Sequence, residues 1–209
     1  MSHYWFVNFL TLSRAPLALL AAIASILNLV RPSWGWIIAC AVLLSLSAIT
    51  DLFDGKLARK WKVVSRFGAL ADPLMDKVFY ILTLPTATFI ALYSEDIPHA
   101  SLLLALDIVS IARDLWVTFL RAATAGTSAK MGAGWAGKIR TALAFPVIAL
   151  VHLVLGIRYL ALRELTTLTI PSAPVYALEA VILVATLASA ISYTRYYMPF
   201  LLAESRKAP

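Results

Sequence analysis

Residues 51–76 read DLFDGKLARKWKVVSRFGALADPLMD, and this stretch lies between two long apolar runs. It contains four aspartates, a DG turn and several lysines and arginines. Asp51 and Asp54 are three residues apart, so they share one face of a helix. Asp72 and Asp76 are four residues apart and share a face in the same way. The first pair ends one apolar run and the second begins the next, so we expect a short connection to bring the four carboxylates together.

Four carboxylates held close together repel one another unless a cation lies between them. Oxygen ligands without histidine or cysteine suit Mg²⁺, Mn²⁺ or Ca²⁺, and Mg²⁺ is usually held by a few carboxylates and the phosphate oxygens of a substrate. Gly55, Ala58 and Gly68 allow a ligand to come close, and the planar fork of Arg59 matches a phosphate. The stretch therefore predicts an active site for phosphate chemistry. The alternative is that these charges only solvate the ends of membrane helices.

The composition is that of an integral membrane protein. The chain has 209 residues, of which 61% are hydrophobic, and its mean hydropathy is +0.84, whereas soluble domains are about half apolar. We expect one membrane domain over residues 1–209, no cleaved signal peptide, and no internal disulfide because Cys40 is the only cysteine. The net charge of +7 is explained by basic loops and anionic lipid headgroups, so no nucleic-acid partner is expected.

The apolar runs predict an all-α bundle of six transmembrane helices. Basic residues concentrate between the second and third spans and between the fourth and fifth, so these loops, the active site and both termini are predicted to be cytoplasmic. In the fourth span, Asp107, Arg113 and Asp114 should face the bundle interior or a watery cavity. For Asp107, the alternative to a functional role is an internal ion pair, such as one with an arginine on another helix. The predicted spans, which follow an interfacial segment at residues 8–14, are residues 15–30, 34–50, 70–92, 99–121, 141–157 and 175–193, with a loop or a frayed helical connection at residues 122–137.

The aspartate stretch resembles the CDP-alcohol phosphotransferase family, whose pattern is DxxDGxxARx₈GxxxDxxxD. Every fixed position of the pattern is present, namely Asp51, Asp54, Gly55, Ala58, Arg59, Gly68, Asp72 and Asp76. The resemblance implies that the hydroxyl of a small alcohol attacks the lipid-side phosphorus of CDP-diacylglycerol and that CMP leaves.

The resemblance also implies roles for individual residues. Two divalent metal ions, either Mg²⁺ or Mn²⁺, would be held by Asp51, Asp54, Asp72 and Asp76. Asp76 would also be the general base that accepts the proton of the acceptor hydroxyl. The residues implied for CDP-diacylglycerol are Asn8, Thr11, Gly55, Ala58, Arg59, Ser65 and Gly68. Taken alone, Thr11 and Ser65 are better interpreted as ordinary interfacial hydroxyls. A homodimer within the lipid bilayer is a further implication.

Cations in the cytoplasmic halves of the fourth and fifth spans predict an anionic acceptor, since arginine forks bind phosphate well. Residues 8–14, 72–77, 113–121 and 134–141 resemble bacterial phosphatidylglycerophosphate synthases, which implies sn-glycerol 3-phosphate as the acceptor and the inner membrane as the location. The candidates for its phosphate are Arg113, Thr118, Arg121, Lys138, Arg140 and Thr141. For Arg140, contact with lipid headgroups is an equal alternative.

Other functions remain open at this stage. Asp114 stands where the synthase subgroup has glutamate, and an Arg-Asp pair there also fits cardiolipin synthases of the same superfamily. An enzyme that uses inositol phosphate is a further alternative. A transporter would place its binding groups near the bilayer midplane on broken helices, whereas here the carboxylates are predicted at helix ends on one side.

Overall fold

A computed structural model describes residues 2–125 and 135–205, and its regular elements in these ranges are all helices. The predicted all-α class is therefore confirmed. The helices are α1 (Ser2–Val30), α2 (Trp34–Lys60), α3 (Arg66–Tyr93), α4 (Ile97–Ala123), α5 (Trp135–Leu162) and α6 (Ala173–Ser205).

Short connections make the first four helices run up and down, with α1 packed against both α2 and α3, and α3 packed against α4. Residues 31–33, 61–65 and 94–96 join them, and each connection ends in a residue that caps the next helix. The Ser65 hydroxyl accepts the N–H of Gly68 at 2.9 Å, and the Asp96 carboxylate accepts the N–H of His99 at 3.2 Å. We call the end with residues 61–65 the aspartate end, and the opposite end the distal end.

The bundle has an apolar interior and an apolar outer surface. Phe79 and Leu103 are fully buried at its centre, and small residues such as Ala21 on α1 let neighbouring helices approach closely. Ile38 and Leu46 on α2 are exposed, as expected for side chains that face lipid tails rather than water.

Five of the described helices are long and apolar enough to cross a membrane, which indicates a multi-pass membrane protein. They are α1, α2, α3, α5 and α6. Helix α4 has 27 residues but contains Asp107, Arg113 and Asp114, and it is not among the five. The sixth span therefore stays a prediction.

Polar contacts hold three helices together at the distal end. Asp96 accepts hydrogen bonds from Arg158 on α5 at 3.1 Å and from the hydroxyl of Tyr176 on α6 at 3.0 Å. His99 on α4 lies 2.8 Å from Glu179 on α6, and both side chains are fully buried. These contacts fix the starts of α4 and α6 side by side.

The helices are longer than the predicted spans, and this corrects one expectation. The predicted DG turn is wrong, because α2 continues through Asp54 and Gly55 to Lys60, and the chain turns at residues 61–65 instead. Helix packing outweighs the cost of about 1 kcal/mol for glycine in a helix. The predicted interfacial segment at residues 8–14 lies within α1, and its position relative to the membrane stays a prediction.

The segment at residues 122–137, predicted as a loop or a frayed helical connection, is described only at its two ends. Helix α4 continues to Ala123 and α5 begins at Trp135, so both ends of this segment are helical rather than irregular. Residues 126–134 lie outside the described part of the chain.

Candidate active site

The four aspartates meet at the aspartate end of the bundle. Asp51 and Asp54 lie in the last turns of α2, and Asp72 and Asp76 lie in the first turns of α3. Because α2 and α3 are antiparallel, the two pairs face each other. Carboxylate oxygens of Asp51, Asp72 and Asp76 all lie within 4.8 Å of one another. The expectation that a short connection brings the carboxylates together is confirmed.

Arg14 on α1 lies at the centre of this aspartate cluster. Its side chain is fully buried, and Nη1 donates to Asp51 at 2.5 Å and to Asp76 at 2.7 Å. Nη2 donates to Asp54 at 3.1 Å and to Asp72. One guanidinium thus contacts all four carboxylates, and α1 is tied to α2 and α3 at a single point.

The charge of the aspartate cluster is not balanced by Arg14 alone. One positive charge faces four carboxylates, so the cluster has an excess of negative charge. Uncompensated charge in a partly buried position destabilises the folded protein. Hard oxygen ligands within a few ångströms of one another are the donor set that Mg²⁺ and Mn²⁺ prefer. The residues present therefore fit a divalent cation.

The sequence analysis missed Arg14, although a signal for it exists. Asn8, Thr11 and Arg14 follow one another at intervals of three residues, which places them on one face of α1. All three are buried polar residues in a predominantly apolar helix. Buried polar groups in a membrane helix are expensive and commonly functional, so this spacing was informative.

The seven residues predicted for CDP-diacylglycerol surround one cavity of about 280 Å³, which we call the first cavity. Asp54 and Asp72 also line it, so the first cavity reaches the aspartate cluster. The residues in question are Asn8, Thr11, Gly55, Ala58, Arg59, Ser65 and Gly68.

Polar groups of the first cavity are held in place by α1 and α3. The Thr11 hydroxyl donates to Asp54 at 2.8 Å, and the Ser65 hydroxyl donates to the Asn8 side chain at 3.4 Å. The buried Nδ2 of Asn8 has no hydrogen-bond partner among the described residues. A Cβ added at Gly55 would meet no atom within 4 Å, so the space beside this glycine is open to a ligand. Thr11 and Ser65 thus line the first cavity beside the aspartate cluster, and their role toward a ligand stays a prediction.

A second cavity, of about 310 Å³, lies on the other side of the aspartate cluster. Asp72 lines both cavities, and Asp76 lines the second one. Five of the predicted acceptor residues are among its lining, namely Arg113, Thr118, Arg121, Arg140 and Thr141. The side chain of the sixth, Lys138, lies outside the described part of the chain. Lys77 and Tyr193 also line the second cavity, and the sequence analysis had given them no role.

Asp114 holds two cations of the second cavity. It accepts from Arg113 at 2.8 Å and from Arg140 at 2.9 Å. Arg140 also lies over the ring of Tyr80, with 4.9 Å between Cζ and the ring centroid. A short acidic side chain at position 114 thus anchors two guanidinium groups, and Arg140 is buried rather than directed toward lipid headgroups.

Asp107 lies deeper in the bundle and lines neither cavity. It is buried on α4, and its Oδ1 has no hydrogen-bond partner among the described residues. The expectation that the charges of α4 face the interior holds for Asp107 and Asp114, but the alternative of an ion pair for Asp107 is wrong within the described part of the chain.

Comparison with known proteins agrees with this geometry. Residues 5–192 match the model of a family described as CDP-alcohol phosphatidyltransferase. A protein of Sodalis glossinidius (strain morsitans) is 35% identical over 105 residues, which are 50% of this chain and 54% of the relative. A protein of Yersinia pestis (strain Pestoides F) is 36% identical over 104 residues, 49% of this chain and 53% of the relative. Both are named CDP-diacylglycerol--glycerol-3-phosphate 3-phosphatidyltransferase. The chain spans about half the length of these relatives.

Replacing Arg14 by alanine tests its role as the shared counter-ion. Breaking a buried ion pair costs about 3–5 kcal/mol, so the Arg14→Ala protein in a chelator should unfold at a clearly lower temperature than the wild type. Mg²⁺ or Mn²⁺ should restore part of this loss, because a divalent cation supplies the missing positive charge. Thermal unfolding of the detergent-solubilised protein, with chelator and with each metal, measures both effects.

The matched control is Arg59→Ala, which removes an exposed arginine from the same end of the bundle. Its unfolding temperature in chelator should stay close to that of the wild type. Equal unfolding temperatures for Arg14→Ala and wild type in chelator would show that Arg14 does not stabilise the aspartate cluster.

Proposed function

The chain belongs to the CDP-alcohol phosphatidyltransferase family, and from this membership we propose that it transfers the phosphatidyl group of CDP-diacylglycerol to sn-glycerol 3-phosphate. The products are phosphatidylglycerophosphate and CMP, so the activity belongs to phospholipid biosynthesis. The named relatives carry this activity in their names.

The observation that carries the proposal is the position of the aspartate cluster between two cavities of different character. The first cavity is lined largely by small or apolar residues together with Arg59. The second is lined by Lys77, Arg113, Arg121 and Arg140. A transfer reaction needs a donor and an acceptor on either side of the reacting phosphorus, and a cationic second cavity suits an acceptor that itself carries a phosphate.

In the proposed reaction, the cytidine diphosphate part of the donor occupies the first cavity. The open side of Gly55 admits the diphosphate, Arg59 provides a charged fork, and the free N–H of Asn8 offers a donor to a polar group of the nucleotide. The acyl chains of the donor then extend into the lipid beside the exposed apolar residues of the bundle.

Bond exchange takes place at the lipid-side phosphorus. The acceptor oxygen forms a new P–O bond, the P–O bond to the CMP phosphate breaks, and the hydroxyl proton passes to Asp76, which lines the second cavity. Two divalent metal ions, either Mg²⁺ or Mn²⁺ in our proposal, would neutralise the negative charge of the diphosphate. The residues that would hold them are Asp51, Asp54, Asp72 and Asp76.

The acceptor phosphate is proposed to lie among Arg113, Arg121 and Arg140, with the hydroxyls of Thr118 and Thr141 nearby. Lys77 donates to Thr118 at 2.8 Å, which adds a further cation at the rim. Lys138 stays a predicted member of this group. An acceptor that has no phosphate, such as inositol or serine, would make fewer charge-assisted contacts with these arginines.

We propose further that all six helices span the inner membrane of a bacterium, with the aspartate end and both termini in the cytoplasm. The polar side chains of α4 support its insertion, because Asp107 and Asp114 are turned into the bundle. Lys56, Lys60 and Lys62 lie at the aspartate end, as expected for a cytoplasmic loop. Assembly into a homodimer stays a prediction.

A substrate panel tests the activity. Purified protein should release CMP from CDP-diacylglycerol when sn-glycerol 3-phosphate is present, and much less with inositol phosphate, serine or phosphatidylglycerol. Chelation of divalent metal should abolish the release. CMP release and the lipid product are measured together. If the protein consumed phosphatidylglycerol and ignored glycerol 3-phosphate, cardiolipin synthesis would replace the proposed activity.

Asp76→Asn tests the general base. The loss of a general base typically slows turnover by about 10²–10⁴-fold, whereas binding of CDP-diacylglycerol should persist because Asp76 does not line the first cavity. Single-turnover CMP release and donor binding are measured on the same preparation. Asp107→Asn is the matched control, since it changes a buried aspartate outside both cavities and should keep turnover near the wild-type rate. Normal turnover by Asp76→Asn would remove the support for this role.

Single cysteines test the orientation in a Cys40→Ala background. Lys60→Cys places a thiol at the aspartate end, and Thr167→Cys places one at the distal end, both at exposed positions. A membrane-impermeant maleimide added to spheroplasts should label only the cysteine at position 167. Both should be labelled after permeabilisation. Labelling of position 60 in intact spheroplasts would reverse the proposed orientation.

A further inference from the structure

Two arginines of the second cavity lie against the ring of Tyr193 on α6. The ring centroid is 5.1 Å from Cζ of Arg113 and 5.2 Å from Cζ of Arg121. Both distances are within the range in which a cation is attracted by an aromatic face. The Tyr193 hydroxyl also accepts a hydrogen bond from Nη2 of Arg121 at 2.9 Å.

Tyr193 is well placed to be a rigid support because it is buried and contacts residues of α4, α5 and α6. It is 2% exposed and belongs to an apolar cluster with Val117, Leu120 and Tyr197. The ring of Tyr197 stacks on it at 6.2 Å with an angle of 10° between the planes. On α5, a Cβ added at Gly137 would come within 4.0 Å of the Tyr193 ring, so α5 closes directly over this position.

The three arginines of the second cavity differ in the contacts that hold their guanidinium groups in place. Arg113 also donates to Asp114 at 2.8 Å and to Ser189 at 2.5 Å, and Arg140 is held by Asp114. For Arg121, in contrast, no carboxylate lies within 4 Å among the described residues, and its described contacts are those with Tyr193. An arginine has many rotamers to lose when it binds a ligand, so its affinity depends on how well it is held beforehand.

We propose that Tyr193 is a positioning residue for binding of the acceptor. Its side chain holds the guanidinium of Arg121 at the wall of the second cavity, so that the guanidinium is already aligned when the acceptor phosphate binds. This inference rests on the proposed function for the identity of the acceptor. Tyr193 does not need to touch the substrate. It fixes one face and one Nη of Arg121, and the other donors of the guanidinium stay available to an anion.

Two substitutions separate the hydroxyl from the ring. Tyr193→Phe removes the hydrogen bond to Arg121 and keeps the ring, so the KM for glycerol 3-phosphate should rise by about threefold to tenfold. Tyr193→Leu also removes the aromatic face, and the rise should reach about tenfold to hundredfold. In both variants the KM for CDP-diacylglycerol should stay within about twofold, and kcat at saturating acceptor should stay close to the wild-type value, because the reacting groups are untouched.

Tyr197→Phe is the matched control. It removes a tyrosine hydroxyl from the same helix and the same apolar cluster, but Tyr197 neither lines the second cavity nor contacts an arginine among the described residues. Its KM values should equal those of the wild type. Thermal unfolding is recorded for every variant, so that a loss of packing is distinguished from a loss of alignment.

Inhibition by inorganic phosphate tests the role of Tyr193 without assuming which acceptor the protein uses. Phosphate should compete with the acceptor, and its inhibition constant should rise in Tyr193→Phe and Tyr193→Leu in parallel with the KM. If the wild type uses a different phosphate-bearing acceptor but the inhibition constant still rises, the proposed acceptor is wrong and the role of Tyr193 holds. Unchanged inhibition and KM in both variants would overturn the inference, as would equal losses for donor and acceptor accompanied by a lower unfolding temperature.

Discussion

The arrangement of the aspartate end depends on the interaction of four carboxylates with one buried guanidinium. Carboxylates that converge in a low-dielectric place repel one another strongly, so the convergence needs positive charge at its centre. Arg14 supplies part of that charge and contacts all four carboxylates. The first three helices must therefore meet at this point. The remaining excess of negative charge is what makes the cluster suited to divalent metal.

The helices around the aspartate cluster enclose two separate cavities, which we propose for the two substrates. Helices α1, α2 and α3 enclose the first cavity, and α3, α4, α5 and α6 enclose the second. Asp72 lines both, so groups bound on either side come within reach of the same carboxylates. Bringing two substrates into contact in this way is a large part of what a transferase has to do. In the second cavity, Asp114 and Tyr193 hold the arginines in place, so its cations are organised before an anion arrives.

The sequence predicted the parts of the site that depend on local spacing. The aspartate pairs follow from one motif, as do Gly55, Ala58, Arg59 and Gly68 of the first cavity, and they lie together as that motif implies. Element boundaries were less well predicted, since α2 continues through Gly55 where a turn was expected. Arg14 was missed because its partners lie on two other helices, 37 to 62 residues away along the chain. Nothing in its immediate neighbours shows that it is a counter-ion.

By itself, the sequence determined the membrane class, the helical architecture, the family and the residues that bear charge at one end of the bundle, because hydropathy, spacing and motif are all local properties. The tertiary structure decided which charges contact each other. It placed Arg14 among the aspartates, Asp114 between two arginines and Tyr193 beneath Arg121. These contacts join residues on different helices in nearly every case, and their partners are fixed only when the helices pack. Packing, rather than any local pattern, therefore converts a row of cations on α4 and α5 into a cavity that suits an anion.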